Sequence, residues 1–249
     1  MGLPFELLIT QKIQELNQIP SFRALKYVDK KYRISYWMGT NPDLKTEDFP
    51  ENEIRLIGCP QNDESSQLFG ELQVLQDIMS TTDKDRSLSD YQAIHFASHY
   101  QMNDTDPLES GFVCDVGSSE PYMKLWDILA ADFTGTRVFV NGCNTGNGKV
   151  NPGQGLMSMS LVFGIGGAQE VISHLWQASD EVSKDLAVDF YQKGIPQNFS
   201  RRLQQVKTNY LKSAPAGLDH PHFWGGMVCS AKPTKRIVWY YWVGVLTLV

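Results

Sequence analysis

The chain has 249 residues, of which 42% are hydrophobic and 20% charged, and its formal net charge is −6. This length suits one large α/β domain or two small ones, and the hydrophobic fraction is sufficient for a core, which excludes a wholly disordered chain. Because the acidic balance offers no basic surface for phosphate contacts, direct binding of nucleic acid is not expected.

The cysteines and the first residues of the chain bear on its cellular setting. The four cysteines show no CxxC spacing and form no Cys/His quartet with the histidines, so no metal site is expected. The first 20 residues lack the basic start of a signal peptide. We therefore expect a cytoplasmic protein whose cysteines are reduced thiols. The cysteines are Cys59, Cys114, Cys143 and Cys229.

Apolar patterns predict strands that alternate with helices. In chain order, strands are predicted at 32–38, 54–58, 93–97, 137–140 and 171–176, and helices at 66–79, 125–130, 156–163, 180–194 and 200–211. Residues 41–52 and 81–90 are polar loops. The alternation predicts a mostly parallel sheet that is covered on both faces, in one domain over residues 1–231.

Two of these strands end in residues that can carry chemistry. The strand at 93–97 leads to His99, and the strand at 137–140 leads to Cys143. If the strands are neighbours, both residues lie at the carboxyl edge of the sheet, where ligands bind in α/β proteins, and a histidine there can activate a thiol. From this pair alone, a packed cysteine and a structural histidine are the commoner interpretation. His95, on the same strand, suits either support of the site or a core position.

Several short motifs resemble, in order and spacing, those of CHAT domains, a family of caspase-like cysteine peptidases. The motifs are LPFE at 3–6, HFASH at 95–99, VFVNGCNTG at 138–146, GQG at 153–155, GGA at 166–168, VISHLW at 171–176, FY at 190–191 and HPHFW at 220–224. The resemblance implies a three-layer α/β/α sandwich of the caspase–hemoglobinase type that needs neither a metal nor an organic cofactor.

The same resemblance assigns roles to individual residues. It implies a cysteine endopeptidase with Cys143 as the nucleophile and His99 as the general base, and backbone N–H groups of Tyr100 and Cys143 as the oxyanion site. Gln154 and Trp176 are candidates for substrate binding, although Trp176 suits a core position equally well. Because Gln154 stands where the family often has glutamate, we expect a neutral or apolar residue before the cleaved bond.

Two further positions differ from the family pattern without removing a catalytic side chain. Tyr100 stands where the family usually has glycine, and Gly142 stands where it often has alanine. The resemblance also implies a bacterial protein with a role in defence or regulated cell death, a protein or peptide substrate, and an activating protein partner.

Rival interpretations fit the residues less well. A phosphate-binding loop ending at Gly148-Lys149 would place its first glycine at Cys143 and its magnesium-binding hydroxyl at Val150. The glycines at 164–167 precede a strand, whereas a dinucleotide fingerprint follows one. The non-enzyme alternative is a catalytically silent scaffold that binds protein partners. The presence of both Cys143 and His99 argues against this alternative.

The tail at 232–249 is basic at first and then apolar. Its last 13 or so residues carry no charge and would span about 20 Å as a helix, short of the roughly 30 Å hydrocarbon core. Its aromatic residues and the preceding basic residues suit the start of an anchor at the inner face of a membrane. A final strand or helix packed on the domain explains the tail as well.

Overall fold

The computed structural model describes residues 36–37, 53–59, 67–79, 87–114, 120–143, 145–146, 149–151, 155–177 and 179–231. The LPFE motif, the loop at 41–52, Gln154 and the tail at 232–249 lie outside the described residues. Within those described, no helix has the length and apolar character needed to cross a membrane. The division of the chain at residue 231 therefore stays a prediction.

Eleven strands and six helices are assigned to the described residues. The strands are β1 (Tyr36–Trp37), β2 (Ile54–Gly58), β3 (Ala93–Ala97), β4 (His99–Gln101), β5 (Gly111–Val113), β6 (Met123–Lys124), β7 (Arg137–Asn141), β8 (Lys149–Asn151), β9 (Gly155–Met157), β10 (Glu170–His174) and β11 (Met227–Ala231). The helices are α1 (Gln67–Ile78), α2 (Leu125–Ala130), α3 (Met159–Ile165), α4 (Asp180–Tyr191), α5 (Phe199–Ser213) and α6 (Pro221–Trp224).

The main sheet has six strands in the order β1-β11-β10-β7-β3-β2. All neighbouring pairs are parallel except β10 with β11. Every residue of β3 and of β10 is buried. A strand that is buried on both faces favours an apolar run over alternation, and β3 has such a run apart from His95. Strand β10 instead buries three polar residues, Glu170, Ser173 and His174.

Helices cover both faces of this sheet. One apolar cluster joins strand residues Ile54, Phe139 and Ile172 to Leu75 of α1, Leu186 of α4 and Leu203 of α5. A second cluster joins strand residues Ile94, Phe96, Val138 and Val140 to Ile128 of α2 and Phe163 of α3. The predicted three-layer α/β/α sandwich with a mostly parallel sheet is confirmed.

The start of α3 differs from the prediction. A helix was expected from residue 156, but residues 155–157 form β9 and α3 begins at Met159. The cause is local, because the side chain of Ser158 accepts a hydrogen bond from the backbone N–H of Leu161 and caps the helix at that point. The apolar run thus contains a strand and a helix separated by an N-cap.

A second, three-stranded sheet forms beyond the end of β3, in the order β4-β5-β6. Its strand β4 begins at His99, which pairs with Val113 of β5. The sequence predicted the end of a strand at Ala97 and no strand at His99. The chain instead continues into a new sheet after Ser98, whose hydroxyl donates to the carbonyl oxygen of Val113 at 3.0 Å.

A disulfide joins the two sheets. It links Cys59, directly after β2, to Cys114, directly after β5, with Cα atoms 5.0 Å apart. The expectation that all cysteines are thiols is therefore wrong at these two positions, and the cysteines do not support a reducing compartment. The two residues lie 55 positions apart, so only the fold reveals that they meet. Cys143 and Cys229 are outside the disulfide.

Candidate active site

His99 and Cys143 line one pocket at the carboxyl edge of the main sheet. Strands β3 and β7 are parallel neighbours whose last residues, Ala97 and Asn141, are partners in register. The residues that follow each strand therefore emerge side by side, and both His99 and Cys143 are half-buried there. The pocket is lined by Ser98, His99, Asn141, Gly142, Cys143, His174, Asp180 and Ser183. The fold thus brings together the two residues predicted to react.

The two strand ends are held together directly. The backbone N–H of Ser98 donates to the carbonyl oxygen of Asn141 at 3.2 Å. A Cβ atom at Gly142 would lie 2.7 Å from the carbonyl oxygen of Ser98, closer than side-chain carbons approach an oxygen. This close approach requires glycine, which accounts for the absence of the more frequent alanine before Cys143.

Thr145 fixes the loop on the far side of Cys143. Its hydroxyl donates to the carbonyl oxygen of Gly142 at 2.8 Å and accepts from the backbone N–H of His174 at 3.2 Å. The backbone N–H of Gly146 donates to the carbonyl oxygen of His174 at 2.8 Å. The loop that carries Cys143 is thereby tied both to its own strand and to the end of β10.

A buried polar network lies beneath the cysteine loop. The carboxylate of Glu71 in α1 lies 2.8 Å from Nε2 of His95 and accepts a 2.5 Å hydrogen bond from Nδ2 of Asn141. Glu71 and His95 have no exposed surface, and Asn141 is 3% exposed. The sequence left open whether His95 supports the site or packs in the core. It does both, since its ring also packs on Phe139 at 4.9 Å between centroids.

Sequence analysis did not single out Glu71. A usable signal was present, because Glu71 lies three residues after Leu68 and four before Leu75, on the apolar face of the predicted helix. A carboxylate on such a face must find buried partners. Its charge also acts on Tyr191: burial raises the pKa of that phenol well above 10, and the coulombic effect of Glu71 raises it further.

His174, at the end of β10, is the second residue that the sequence did not mark as functional. It is 2% exposed, and neither ring nitrogen has a hydrogen-bond partner among the described residues. Burial, with the positive charge of Lys207 as a second cause, lowers the pKa of His174 to about 4. The ring is therefore neutral at pH 7.

The remaining candidates lie elsewhere. Trp176 is half-buried, is not among the residues that line the pocket, and donates from Nε1 to the carbonyl oxygen of His222 at 2.8 Å. Its ring packs so closely on Gly226 that a Cβ atom there would be 2.7 Å away. Tyr100 belongs to β4 and is half-buried, and burial raises its pKa. The oxyanion and groove roles of these residues stay predictions.

Metal-binding groups are not clustered in the described ranges. Nowhere in them do three or more His, Cys, Asp or Glu side chains come together in a way that could hold an ion. The side chains that line the pocket include the thiol of Cys143 and the imidazoles of His99 and His174.

Comparison with protein families identifies the family of the chain. The CHAT domain family matches residues 58–232, most of the chain, including both motifs that carry His99 and Cys143. The chain belongs to the CHAT domain family. The resemblance recognised from the motifs is confirmed, although the LPFE segment lies outside the matched residues.

Solved structures similar to this CHAT domain share little sequence with it. Separase in the Saccharomyces cerevisiae separase–securin complex is 14% identical over 74% of this chain and 12% of its own, with a TM-score of 0.45. The complex of Porphyromonas gingivalis RgpB pro- and mature domains gives 10% identity over 77% of this chain and 50% of the other, with a TM-score of 0.42. The Arg-specific cysteine proteinase gingipain R gives 11% identity over 77% and 49%, with a TM-score of 0.44.

These structures are longer than the chain, which spans about an eighth of separase and about half of the gingipain chains. No curated protein sequence matches the chain. The activities of whole relatives therefore do not transfer to this CHAT domain, and its function has to be argued from the pocket.

Proposed function

We propose that this CHAT domain is a cysteine endopeptidase in which Cys143 is the nucleophile and His99 the general base. The observation that carries the proposal is the pocket that both side chains line at the carboxyl edge of the sheet. Both are half-buried, so a substrate can reach them, and Cys143 is outside the disulfide. A reactive cysteine needs this combination of partial exposure and a neighbouring base.

The reaction follows from these two groups. His99 takes the proton of the Cys143 thiol, and the thiolate attacks the carbonyl carbon of the peptide bond. The C–N bond then breaks as the imidazolium gives its proton to the leaving amine, which leaves an acyl-enzyme joined through a C–S bond. Water, activated by His99, hydrolyses this thioester and restores the thiol. Backbone N–H groups of Cys143 and Tyr100 are the proposed donors to the oxyanion.

The biological setting is part of the same proposal: the family resemblance supports the role and the partner, and the composition of the first 20 residues and of the tail supports the location. The substrate is a protein or peptide, cleaved in bacterial defence or regulated cell death after activation by a protein partner. The proposed location is the cytoplasm, with the tail at 232–249 holding the domain at the inner face of the membrane. Fractionation of cells that express the whole protein tests the location, since a protein found only in the soluble fraction would exclude the tether.

The catalytic assignment is tested by labelling and digestion. Iodoacetamide should label Cys143 of the native protein faster than Cys229, which is fully buried. Cys143→Ala should abolish cleavage of a peptide library without loss of secondary structure, since the residue lies at a strand end rather than in the core. His99→Ala should slow labelling at neutral pH at least tenfold, because the thiolate loses its base.

Controls separate the proposal from its alternative. Cys229→Ala should digest the library like the native protein. If Cys143→Ala still cuts peptides, the nucleophile is misassigned. If the folded native protein reacts at Cys143 no faster than a buried cysteine and cuts nothing in the presence of cell extract, the catalytically silent scaffold is the better description.

A further inference from the structure

The Cys59–Cys114 disulfide lies at the same edge of the main sheet as the candidate active site. Strands β2, β3 and β7 are parallel, and their last residues are partners in register. Cys59 follows the end of β2 directly, whereas His99 and Cys143 each come two residues after the ends of β3 and β7. The disulfide and the candidate nucleophile therefore flank the strand that leads to His99, one on each side.

The other half of the disulfide lies beside His99 itself. Val113, the last residue of β5, is the partner in register of His99 in the three-stranded sheet, and Cys114 follows Val113 directly. Strand β2 pairs with the chain just before His99, and β5 pairs with the chain that begins at His99. The disulfide thus ties together the two strands between which the chain carrying His99 changes from one sheet to the other.

Non-covalent contacts also hold this part of the chain. The hydroxyl of Ser98 donates to the carbonyl oxygen of Val113 at 3.0 Å, and the pair of His99 with Val113 ends a ladder of three residue pairs. Phe112 is buried and stacks on Phe96 of β3 at 5.0 Å between ring centroids. The aromatic packing keeps the small sheet on the domain without the disulfide. A ladder this short is marginally stable in water, so its end at His99 frays more readily once the disulfide is open.

The disulfide is open to chemical change. Cys59 and Cys114 are both half-buried, so a small thiol or disulfide reagent can reach them. The proposed function places the domain in the cytoplasm, where disulfides are usually transient and redox-sensing. We propose that Cys59 and Cys114 form a redox switch that positions His99, so that Cys143 is reactive in the disulfide form and much less reactive in the dithiol form. The inference rests on the proposed peptidase function.

The switching step is thiol–disulfide exchange with a low-molecular-weight disulfide such as glutathione disulfide. The thiolate of one cysteine attacks a sulfur of the reagent, an S–S bond forms, and one glutathione leaves as a thiolate. The second cysteine attacks this mixed disulfide and expels the other glutathione. Cys59 and Cys114 together lose two electrons and two protons, and the reagent is reduced to two thiols. A dithiol such as dithiothreitol reverses the step and becomes a disulfide itself.

The position of His99 matters because catalytic groups tolerate little displacement. A misplacement of about 1 Å can cost on the order of 100-fold in rate. An ordinary thiol is almost fully protonated at pH 6, so the reaction of a cysteine at that pH depends on the base beside it. Opening the disulfide should therefore slow the reaction of Cys143 most clearly at mildly acid pH.

Alkylation of Cys143 in both redox states tests the inference. The native protein is reduced with dithiothreitol, freed of reagent under nitrogen and treated with iodoacetamide at pH 6, and peptide mapping by mass spectrometry gives the rate at Cys143 alone. The reduced protein should react about tenfold more slowly than the oxidised protein, with unchanged circular dichroism. Glutathione disulfide should restore the fast rate, and kcat/KM on a peptide library should change in the same direction.

Three variants locate the effect. Cys59→Ser combined with Cys114→Ser should label Cys143 at the slow rate and should not respond to dithiothreitol. Cys229→Ser changes a buried cysteine outside the disulfide and should respond as the native protein does. In His99→Ala the rate should be low and equal in both redox states, because the base through which the disulfide acts is gone. The measurement on the native protein does not depend on whether the double variant folds.

Each outcome has one meaning. Equal rates in the two redox states, loss of secondary structure on reduction, or a redox effect that persists in His99→Ala would overturn the inference while leaving the peptidase proposal intact. A response of the double serine variant to dithiothreitol would also overturn it. Failure of Cys143 to react in either redox state would instead reject the proposed function, and the inference with it.

Discussion

Removal of the Glu71 carboxylate should destabilise the protein strongly, because it holds two buried groups at once. In Glu71→Ala, Nε2 of His95 and Nδ2 of Asn141 both lose their partner, and all three residues are essentially inaccessible to solvent. Each buried polar group that loses its partner costs about 1–3 kcal/mol, and two such groups are affected here. The expected loss is therefore about 2–6 kcal/mol.

Urea unfolding at pH 7, followed by circular dichroism, measures the loss. With an m-value of roughly 3 kcal/mol per molar urea, the midpoint of Glu71→Ala should fall by about 0.7 to 2 M. Glu71→Gln keeps an acceptor for Asn141 and should lose less, about 1–3 kcal/mol. Asp77→Ala changes an exposed carboxylate on the same helix and should stay within about 0.5 kcal/mol of the native protein.

The comparison among these variants decides the matter. If Glu71→Ala unfolds at the same urea concentration as Asp77→Ala, the carboxylate does not bind the two groups in solution. If Glu71→Gln is as unstable as Glu71→Ala, the charge rather than the hydrogen bonds accounts for the effect.

Three further changes have expected outcomes. Gly142→Ala should slow iodoacetamide labelling of Cys143 more than tenfold with native circular dichroism, because the added methyl group would lie 2.7 Å from a carbonyl oxygen; labelling at the native rate would show that the strand ends tolerate it. The pKa of His174 is about 4 in the folded protein and about 6.5 in the unfolded chain. As the pH falls from 6.5 to 4, the unfolded chain therefore takes up a proton that the folded protein does not take up. The free energy of unfolding should therefore drop by up to roughly 3 kcal/mol from pH 6.5 to pH 4, and by less in His174→Leu; equal slopes would contradict the buried neutral ring. Reduction of the disulfide, which closes a 55-residue separation, should lower stability by at most about 4 kcal/mol, and a double serine variant should not respond to reductant.

Several strands of the main sheet were predictable because a short apolar segment is stable only where it is buried, as in a sheet that helices cover. Ile54–Gly58 and Ala93–Ala97 have the predicted bounds, since each is a short, mostly apolar segment, interrupted only by Arg55 or His95, and such segments suit a sheet that is covered by helices. The meeting of His99 and Cys143 followed from the same pattern. Residues after adjacent parallel strands must emerge at the same edge.

Features that depend on distant partners were not predictable. Strand β4 forms because residues 111–113 pair with it, and no local pattern of residues at His99 predicts that pairing. The disulfide depends in the same way on two strand ends that meet only in the fold. The burial of His174 and its lack of a hydrogen-bond partner among the described residues were not predictable, because the neighbouring residues in the sequence indicate neither.

The disulfide also has a topological consequence. Cys59 and Cys114 close a covalent ring that contains α1, β3 and His99. A single cut of the backbone anywhere inside this ring, by the protein itself or by another protease, opens the chain without releasing either piece. Such a nicked molecule would run as one band on a non-reducing gel and as two after reduction, and His99 would remain covalently attached to the strand that carries Cys143.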